Sequence, residues 1–382
     1  MVLHILFAVS GVASVLIGPL LPIMAARLSL SDLDVTYFFQ AQFAGSLTGT
    51  LLTRPFGRRS KYILAAMIGS VMMAAGILLM NAVSFELCIA GFLLNGIGIG
   101  LTLPSINTII IALNPMRSAA ALSFLNFGWG VGAIFSKPMV DLLSFDGWIL
   151  PFSLSLAIPL VGCAAALIGA QDPSIAGPNE EAGGSSEKGS VWRHPLAWLF
   201  AAINFLHVGF EGGMGGWLPA FAERNSISAN NIFSPSFLFF LFFVLGRGSG
   251  SLVLRYVQER TVILISIAVA LAGSIMVVLS SSSLLLSVGA AIAGLGTSVI
   301  FPTHLGRFAR RLGPEALKNV TPYFVCGTLG AATATWCIGF LSEYFRDLRS
   351  AMWFLPISLA LLIVLTLFTG RQHRAEAPLS KN

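Results

Sequence analysis

The chain has 382 residues, of which 56% are hydrophobic and only 10% charged, with a mean hydropathy of +0.85. Soluble domains carry about a quarter charged residues, so a water-soluble fold is excluded and lipid must be the solvent for most of this chain. The formal net charge of +6 then reads as a topology signal rather than as a sign of nucleic-acid binding.

A membrane helix needs about 20 apolar residues. Windows of that size give twelve spans, at 3–26, 35–56, 61–81, 84–113, 118–143, 148–170, 196–222, 233–257, 261–280, 284–306, 319–342 and 350–370. The first has no basic segment before it and no small-residue cleavage site, so it reads as a membrane helix and not as a signal peptide. Most connections are short. The exception is 171–195, "QDPSIAGPNEEAGGSSEKGSVWRHP", whose Gly, Ser, Pro and charge mark a linker. It divides the chain into a six-helix bundle over 1–170 and another over 196–382. The cysteines Cys88, Cys163, Cys326 and Cys337 all sit in apolar runs and read as packing residues.

Charge placement orients the spans. With a cytoplasmic N-terminus, sixteen of the 22 Lys and Arg residues fall on the cytoplasmic side, among them Arg54, Arg58, Arg59, Lys61, Arg117, Lys188, Arg255, Lys318 and Lys381. Arg27, Lys137, Arg224, Arg346 and Arg349 fall on the other, and Arg247 lies inside a span. The positive-inside rule therefore puts both termini in the cytoplasm. A bacterial inner membrane is the expected location, and a monomer the expected state.

The halves repeat. "GTLLTRPFGRRS" at 49–60 aligns with "GSLVLRYVQERT" at 250–261, and "GIGIGLTLPSIN" at 96–107 with "GLGTSVIFPTHL" at 294–305. Offsets of 201 and 198 residues span six helices, so the repeat is parallel, about an axis along the membrane normal. Twelve helices in two such halves, with a basic motif after the second and eighth, resemble the major facilitator superfamily. The superfamily's motif is carried here by Gly49, Arg54, Gly57, Arg58 and Arg59, with Thr53 standing where an acid is usual. "HVGFEGGMGGWLPAF" with "LGRGSG", and "GIGIGLTLPSIN" with "LSFLNFGWGVGAIF", resemble helices of the fucose–proton symporters and their glucose-transporting relatives. That branch carries an acidic residue where this chain has Leu103, so its coupling scheme does not transfer.

An ionisable side chain at mid-membrane costs roughly 2.5–3.5 kcal/mol on insertion scales and should face a cavity or a partner. Glu211 is the one acidic residue deep in any span, with His207 one turn and Asn204 two turns before it on the same helical face. In the repeat, the position opposite Glu211 falls near Ser14. An apolar cavity favours the neutral form of a carboxyl, so Glu211 is expected to carry a coupling proton, with His207 sharing it or orienting the carboxylate. The bland alternative is a polar contact that locks helix packing. Trp217 is either a stacking platform for a sugar ring or an interfacial anchor. Gln40 and Gln42, Asn107, and Asn126 with Trp129 offer further hydrogen bonds for a polyol, although amides also join membrane helices. Gly212 and Gly213 are candidates for a gate hinge, and Arg247 and His304 for cavity or gate positions. Lys137 and Asp141 are spaced as an ion pair at the outer edge.

No Walker phosphate loop, metal-ligand cluster or nucleophile-and-base constellation is present. The expectation is therefore a secondary transporter and not an enzyme. It should carry a neutral polyhydroxy solute, a sugar first, by alternating access with a proton as coupling ion and no cofactor. A drug or metabolite exporter, a sodium-coupled or uncoupled sugar carrier, and a transporter-like receptor remain alternatives; a lipid flippase should have a charged, amphipathic cavity, and the first half is too uncharged for that.

Overall fold

The computed structural model describes residues 1–57, 59–114, 118–143, 145, 147–171, 191–225, 234–253, 256–312 and 320–375. Most of the expected linker lies outside them, as do Arg58, Arg117, Lys188, Arg255, Lys318 and Lys381. Every regular element among the described residues is helical. The first half holds α1 (Val2–Val15), α2 (Ile17–Leu28), α3 (Asp32–Gly57), α4 (Tyr62–Met80), α5 (Phe85–Leu113), α6 (Ser118–Leu142) and α7 (Ile149–Gln171). The second holds α8 (Pro195–Arg224), α9 (Pro235–Val253), α10 (Glu259–Val278), α11 (Ser283–Thr297), α12 (Ile300–Leu312), α13 (Thr321–Phe345), α14 (Leu348–Met352) and α15 (Phe354–Ala375).

Helices fall on all twelve expected spans, three of which are broken in two. Each break lies one turn before a proline, where the missing N–H leaves a carbonyl without its helical donor. Pro19 follows the break at Leu16, Pro302 the break at Ser298, and Pro356 the break at Trp353. Among the described residues, nine helical stretches are long and apolar enough to cross a membrane. Of the rest, α3 and α6 are long but more polar, and Pro235–Gly250 is apolar but shorter.

The parallel repeat is visible in the packing. In the first half α1 packs on α6, α3 and α4 on α5, and α4 on α7; in the second α8 packs on α13, α9 and α10 on α11, and α10 on α15. Close glycine contacts recur with it. Gly132 lies against the Ala8 carbonyl as Gly330 lies against that of Phe205, and Gly96 against the Gln42 carbonyl as Gly294 against that of Phe239. Small residues let helix backbones approach this closely, which is how packing is gained where lipid supplies no hydrophobic drive.

The halves meet chiefly along α2–α8, α3–α13 and α6–α9. The contacts there lie at mid-height or towards the end away from the termini. Gly18 abuts the Gly215 carbonyl, Thr36 abuts Gly339, and Gly130 abuts Val244. Arg224 and Ser342 both bond to Asp32. At the other end α8, α12 and α13 close on each other within the second half alone, around Phe200, Phe308 and Tyr323.

Candidate functional site: a cavity at the half–half boundary

A cavity of about 170 Å³ lies between the halves at mid-height. The first half contributes Ser14, Gln42 and Trp129, and the second contributes Glu211. Phe39, Phe43, Phe239, Phe240 and Phe243 complete most of the wall. Ser14 lies in the last turn of α1, just before the Pro19 break, and lines the cavity from the first half as Glu211 does from the second.

Glu211 sits near the middle of α8, with its side chain 20% exposed. Oε1 lies 3.5 Å from His207 Nε2 and 3.9 Å from an Arg247 guanidinium nitrogen. Neither is a hydrogen bond, since Oε1 has no hydrogen-bond partner among the described residues. His207 is buried, with Nε2 at 2.9 Å from Thr297 Oγ1 and 3.2 Å from Thr297 O. A carbonyl only accepts, so this geometry favours a hydrogen on Nε2. Arg247 lies over the Phe243 ring at 4.1 Å and donates from Nε to Ser298 O at 3.4 Å. Ser298 O is the carbonyl that Pro302 deprives of its helical donor. The break in the tenth span therefore exposes two adjacent carbonyls, and the two side chains that fill them are also the two that touch Glu211.

On the opposite wall, Gln42 Nε2 donates to Ser14 O at 2.9 Å, and Trp129 Nε1 to Ser14 Oγ at 3.4 Å. Ser14 Oγ donates to Ser10 O at 2.7 Å. Three polar groups are thereby held in place around one serine.

Several expected site residues lie elsewhere. Trp217 is fully buried, packs on Phe39 and donates to Thr335 O at 3.1 Å, so it neither faces a solute nor anchors at a membrane surface. Gln40 donates to Ala332 O and ties α3 to α13 away from the cavity. Asn204 is buried and donates to Tyr323 O at 2.8 Å. The polar stripe on α8 therefore divides: Glu211 reaches the cavity, while His207 and Asn204 turn into the second half. Asn107 and Asn126 are not on the cavity wall. Asn126 is exposed and bonds back to Leu122 O, as the amide of a helix residue readily does. His304 is buried beside the Phe200 ring. Gly212 lines the cavity against Ala331, whereas Gly213 packs on Leu355 and Ile338. The α8 helix runs unbroken through both, so these glycines serve close packing here and not a bend. Lys137 and Asp141 do form an ion pair.

The phenyl wall was not anticipated. Phenylalanine in a membrane span reads equally well as lipid-facing, and the only local signal is the density of "FLFFLFF" at 237–243.

Residues 3–315 match the family profile described as Major Facilitator Superfamily. The chain belongs to the major facilitator superfamily. Among solved structures, the E. coli fucose:proton symporter FucP is similar over 96% of this chain and 97% of its own, with 17% identity and a TM-score of 0.63. The nucleoside transporter NupG matches over 96% and 98%, with 14% identity and a TM-score of 0.75. A bacterial homologue of the human drug peptide transporters matches over 98% of each chain, with 15% identity and a TM-score of 0.72. These likenesses establish the fold. A curated relative, "Bypass of stop codon protein 6" of Saccharomyces cerevisiae, is 25% identical over 284 residues. The match takes in 67% of this chain and 56% of that protein, so the chain spans about half the length of the relative. The chain is thus a multi-pass membrane protein of a transporter superfamily.

Proposed function

We propose that this member of the superfamily is a proton-coupled secondary transporter of a small neutral polyhydroxy solute, a sugar first. The halves 1–170 and 196–382 would rock about the central cavity while both termini stay in the cytoplasm. The observation that carries this reading is Glu211 itself. It is the acidic residue on the cavity wall, held between His207 and Arg247 and facing Gln42, Ser14 and Trp129. An ionisable side chain at mid-membrane is expensive to place there and by default marks a functional site. Aromatic faces with a few oriented hydrogen-bonding groups suit a ring that has apolar C–H faces and hydroxyl edges.

A second reading is favoured by one feature. Five phenyl rings and the Trp129 indole against Ser14, Gln42 and Glu211 also suit an amphipathic solute, as in an exporter exchanging it for protons. One experiment separates the readings. Purified protein in liposomes is given a sugar panel and a panel of aromatic amphiphiles under imposed proton or sodium gradients, with wild type beside Glu211→Gln. The first reading expects proton-driven accumulation of a sugar that the variant loses while retaining sugar counterflow. Accumulation that survives in Glu211→Gln removes the coupling role. Binding of amphiphiles and of no sugar selects the second reading.

A further inference from the structure

Behind His207, on the side away from the cavity, the second half buries a group of polar atoms that have no hydrogen-bond partner among the described residues. They are Asn204 Oδ1, His207 Nδ1, both ring nitrogens of His304, Tyr323 Oη and one terminal nitrogen of Arg307. They come from three helices that pack together. Asn204 on α8 donates to Tyr323 O on α13. His304 on α12 stands one turn from Phe301 and one turn from Phe308, and both of those rings pack on Tyr323, at 6.3 and 5.3 Å. The Phe200 ring of α8 closes on His304 at 6.1 Å. The charged side chain that bears on His304 is Arg307, and the one bearing on Tyr323 is Glu211. Arg307 in turn is anchored to Thr369 on α15 and stands among Arg310, Arg311, Glu259 and Arg260 at the end that carries the termini.

Leaving so many buried donors and acceptors unpaired would cost about 1–3 kcal/mol each. The set mixes acceptors (Asn204 Oδ1) with donors (Arg307) and groups that can do both (Tyr323, His304). A cation would leave the donors unsatisfied, and an anion the acceptors. Water satisfies both, and buried water characteristically bridges such groups.

We infer that α8, α12 and α13 enclose a water-binding chamber, and that it is the path by which Glu211 exchanges its proton with the solvent at the termini end. The inference rests on the proton-coupling role proposed for Glu211. The cavity side of Glu211 is walled largely by phenyl rings, which relay no protons, whereas His207 bridges from its carboxylate to the chamber. Along the file, each water and the His304 ring accept one proton and release another, and His207 takes the last one at Nδ1 and releases the hydrogen of Nε2 to the Glu211 carboxylate. An N–H or O–H bond forms as the next breaks, and every member returns to its starting charge.

Two measurements on the full chain test this. The protein has five histidines, so the imidazole signals of 15N-histidine-labelled protein in bilayers are resolvable, and His304 is assigned by its loss in His304→Phe or, if that variant does not fold, in His304→Gln. Water-edited solid-state NMR should transfer magnetisation from water to His304 at least about tenfold faster than to the buried side chain of Ile263, read in a 13C-isoleucine-labelled sample. Transfer as slow as to Ile263 overturns the chamber. In the second measurement, a pH jump is followed by infrared detection of the protonated Glu211 carboxyl, identified by its loss in Glu211→Gln. His304→Phe should slow its rise about tenfold at unchanged amplitude, and His304→Gln should recover part of the rate. An unchanged rate overturns the proton path. A band that Glu211→Gln leaves intact overturns the coupling role and with it the path, while the NMR result still decides the chamber by itself.

Discussion

The guanidinium of Arg224, at the end of α8, grips the carboxylate of Asp32, at the start of α3, with both of its terminal nitrogens. Ser342 on α13 donates to the same carboxylate. One acid of the first half thus holds two helices of the second, at the end away from the termini where the halves are closed. The Asp32 side chain is mostly shielded and that of Arg224 is 46% exposed, so the pair lies between an exposed bridge, typically 0.2–1 kcal/mol, and a buried one. Asp32→Asn should shift the balance of conformers towards opening at this end by about fivefold, equivalent to about 1 kcal/mol. Distances between spin labels at the two ends of the bundle measure that balance. An unaltered distribution would show that the glycine contacts of α2 with α8 hold the closure unaided.

Trp129 and Trp217 look alike in sequence, each on a span beside glycines, yet one lines the cavity and the other is fully buried. Trp129→Ala removes a wall of the cavity and the Nε1 donor to Ser14, so it should weaken solute binding at least tenfold with little effect on thermal stability. Trp217→Phe keeps the ring but loses the bond to Thr335 O, worth about 1 kcal/mol. It should lower the melting temperature and leave apparent affinity within twofold. Affinity and melting curves for both variants in one detergent check the contrast, and the reverse pattern would relocate the site.

The twelve spans, the parallel repeat and the family were legible because they depend on hydropathy and on spacing, which lipid makes strongly diagnostic. Glu211, Gln42 and Trp129 could be picked out because a polar group in lipid needs a reason. Which way each polar group turned could not. Asn204, His207 and Glu211 share a face by helical spacing, but α13 and the break in α11–α12 take up the first two before they reach the cavity. That break is set by Pro302, visible in the sequence, but nothing local says that Arg247, fifty-five residues earlier, fills the carbonyl it frees. The glycines after Glu211 read as a hinge by composition, and only the packing of α13 against α8 shows what their missing side chains make room for.

Outside the spans, Asp347 opens α14 by accepting hydrogen bonds from the backbone N–H groups of Arg349 and Ser350 and from the Ser350 hydroxyl. The Ser350 side chain foremost, then the two N–H groups and the Arg349 charge, hold the Asp347 carboxyl below its ordinary value. A depressed carboxyl contributes stability that is present above the unfolded-state pKa, about 3.9, and is lost as pH falls through the folded-state value. Asp347→Ala should therefore cost about 0.5–2 kcal/mol at neutral pH, as N-cap removal does. Wild type and variant should converge as pH falls through the folded-state value. The check is acid titration of the melting temperature; parallel curves down to that pH would show that the cap does not contribute.

Gly132 and Gly330 occupy matching places in the two halves, on α6 against α1 and on α13 against α8. A methyl group added at either would overlap a backbone carbonyl, that of Ala8 or that of Phe205. A backbone cannot rotate away as a side chain can, so the helix pair itself must separate. Overpacking of this kind costs typically 1–3 kcal/mol, set against a gain of about 1 kcal/mol in helix propensity from glycine to alanine. Gly128, one turn before Gly132 on α6, has its nearest neighbouring atom 3.7 Å from the added methyl, so there the propensity gain stands alone. Gly132→Ala and Gly330→Ala should each lower the melting temperature by several degrees, and Gly128→Ala should leave it unchanged or raise it. The two damaging substitutions touch different helix pairs with no shared partner, so their costs should add to within about 0.5 kcal/mol. Thermal unfolding of the three single variants and the double variant measures all of this at once. If Gly330→Ala is silent while Gly132→Ala is not, the two halves do not use their matching glycines in the same way.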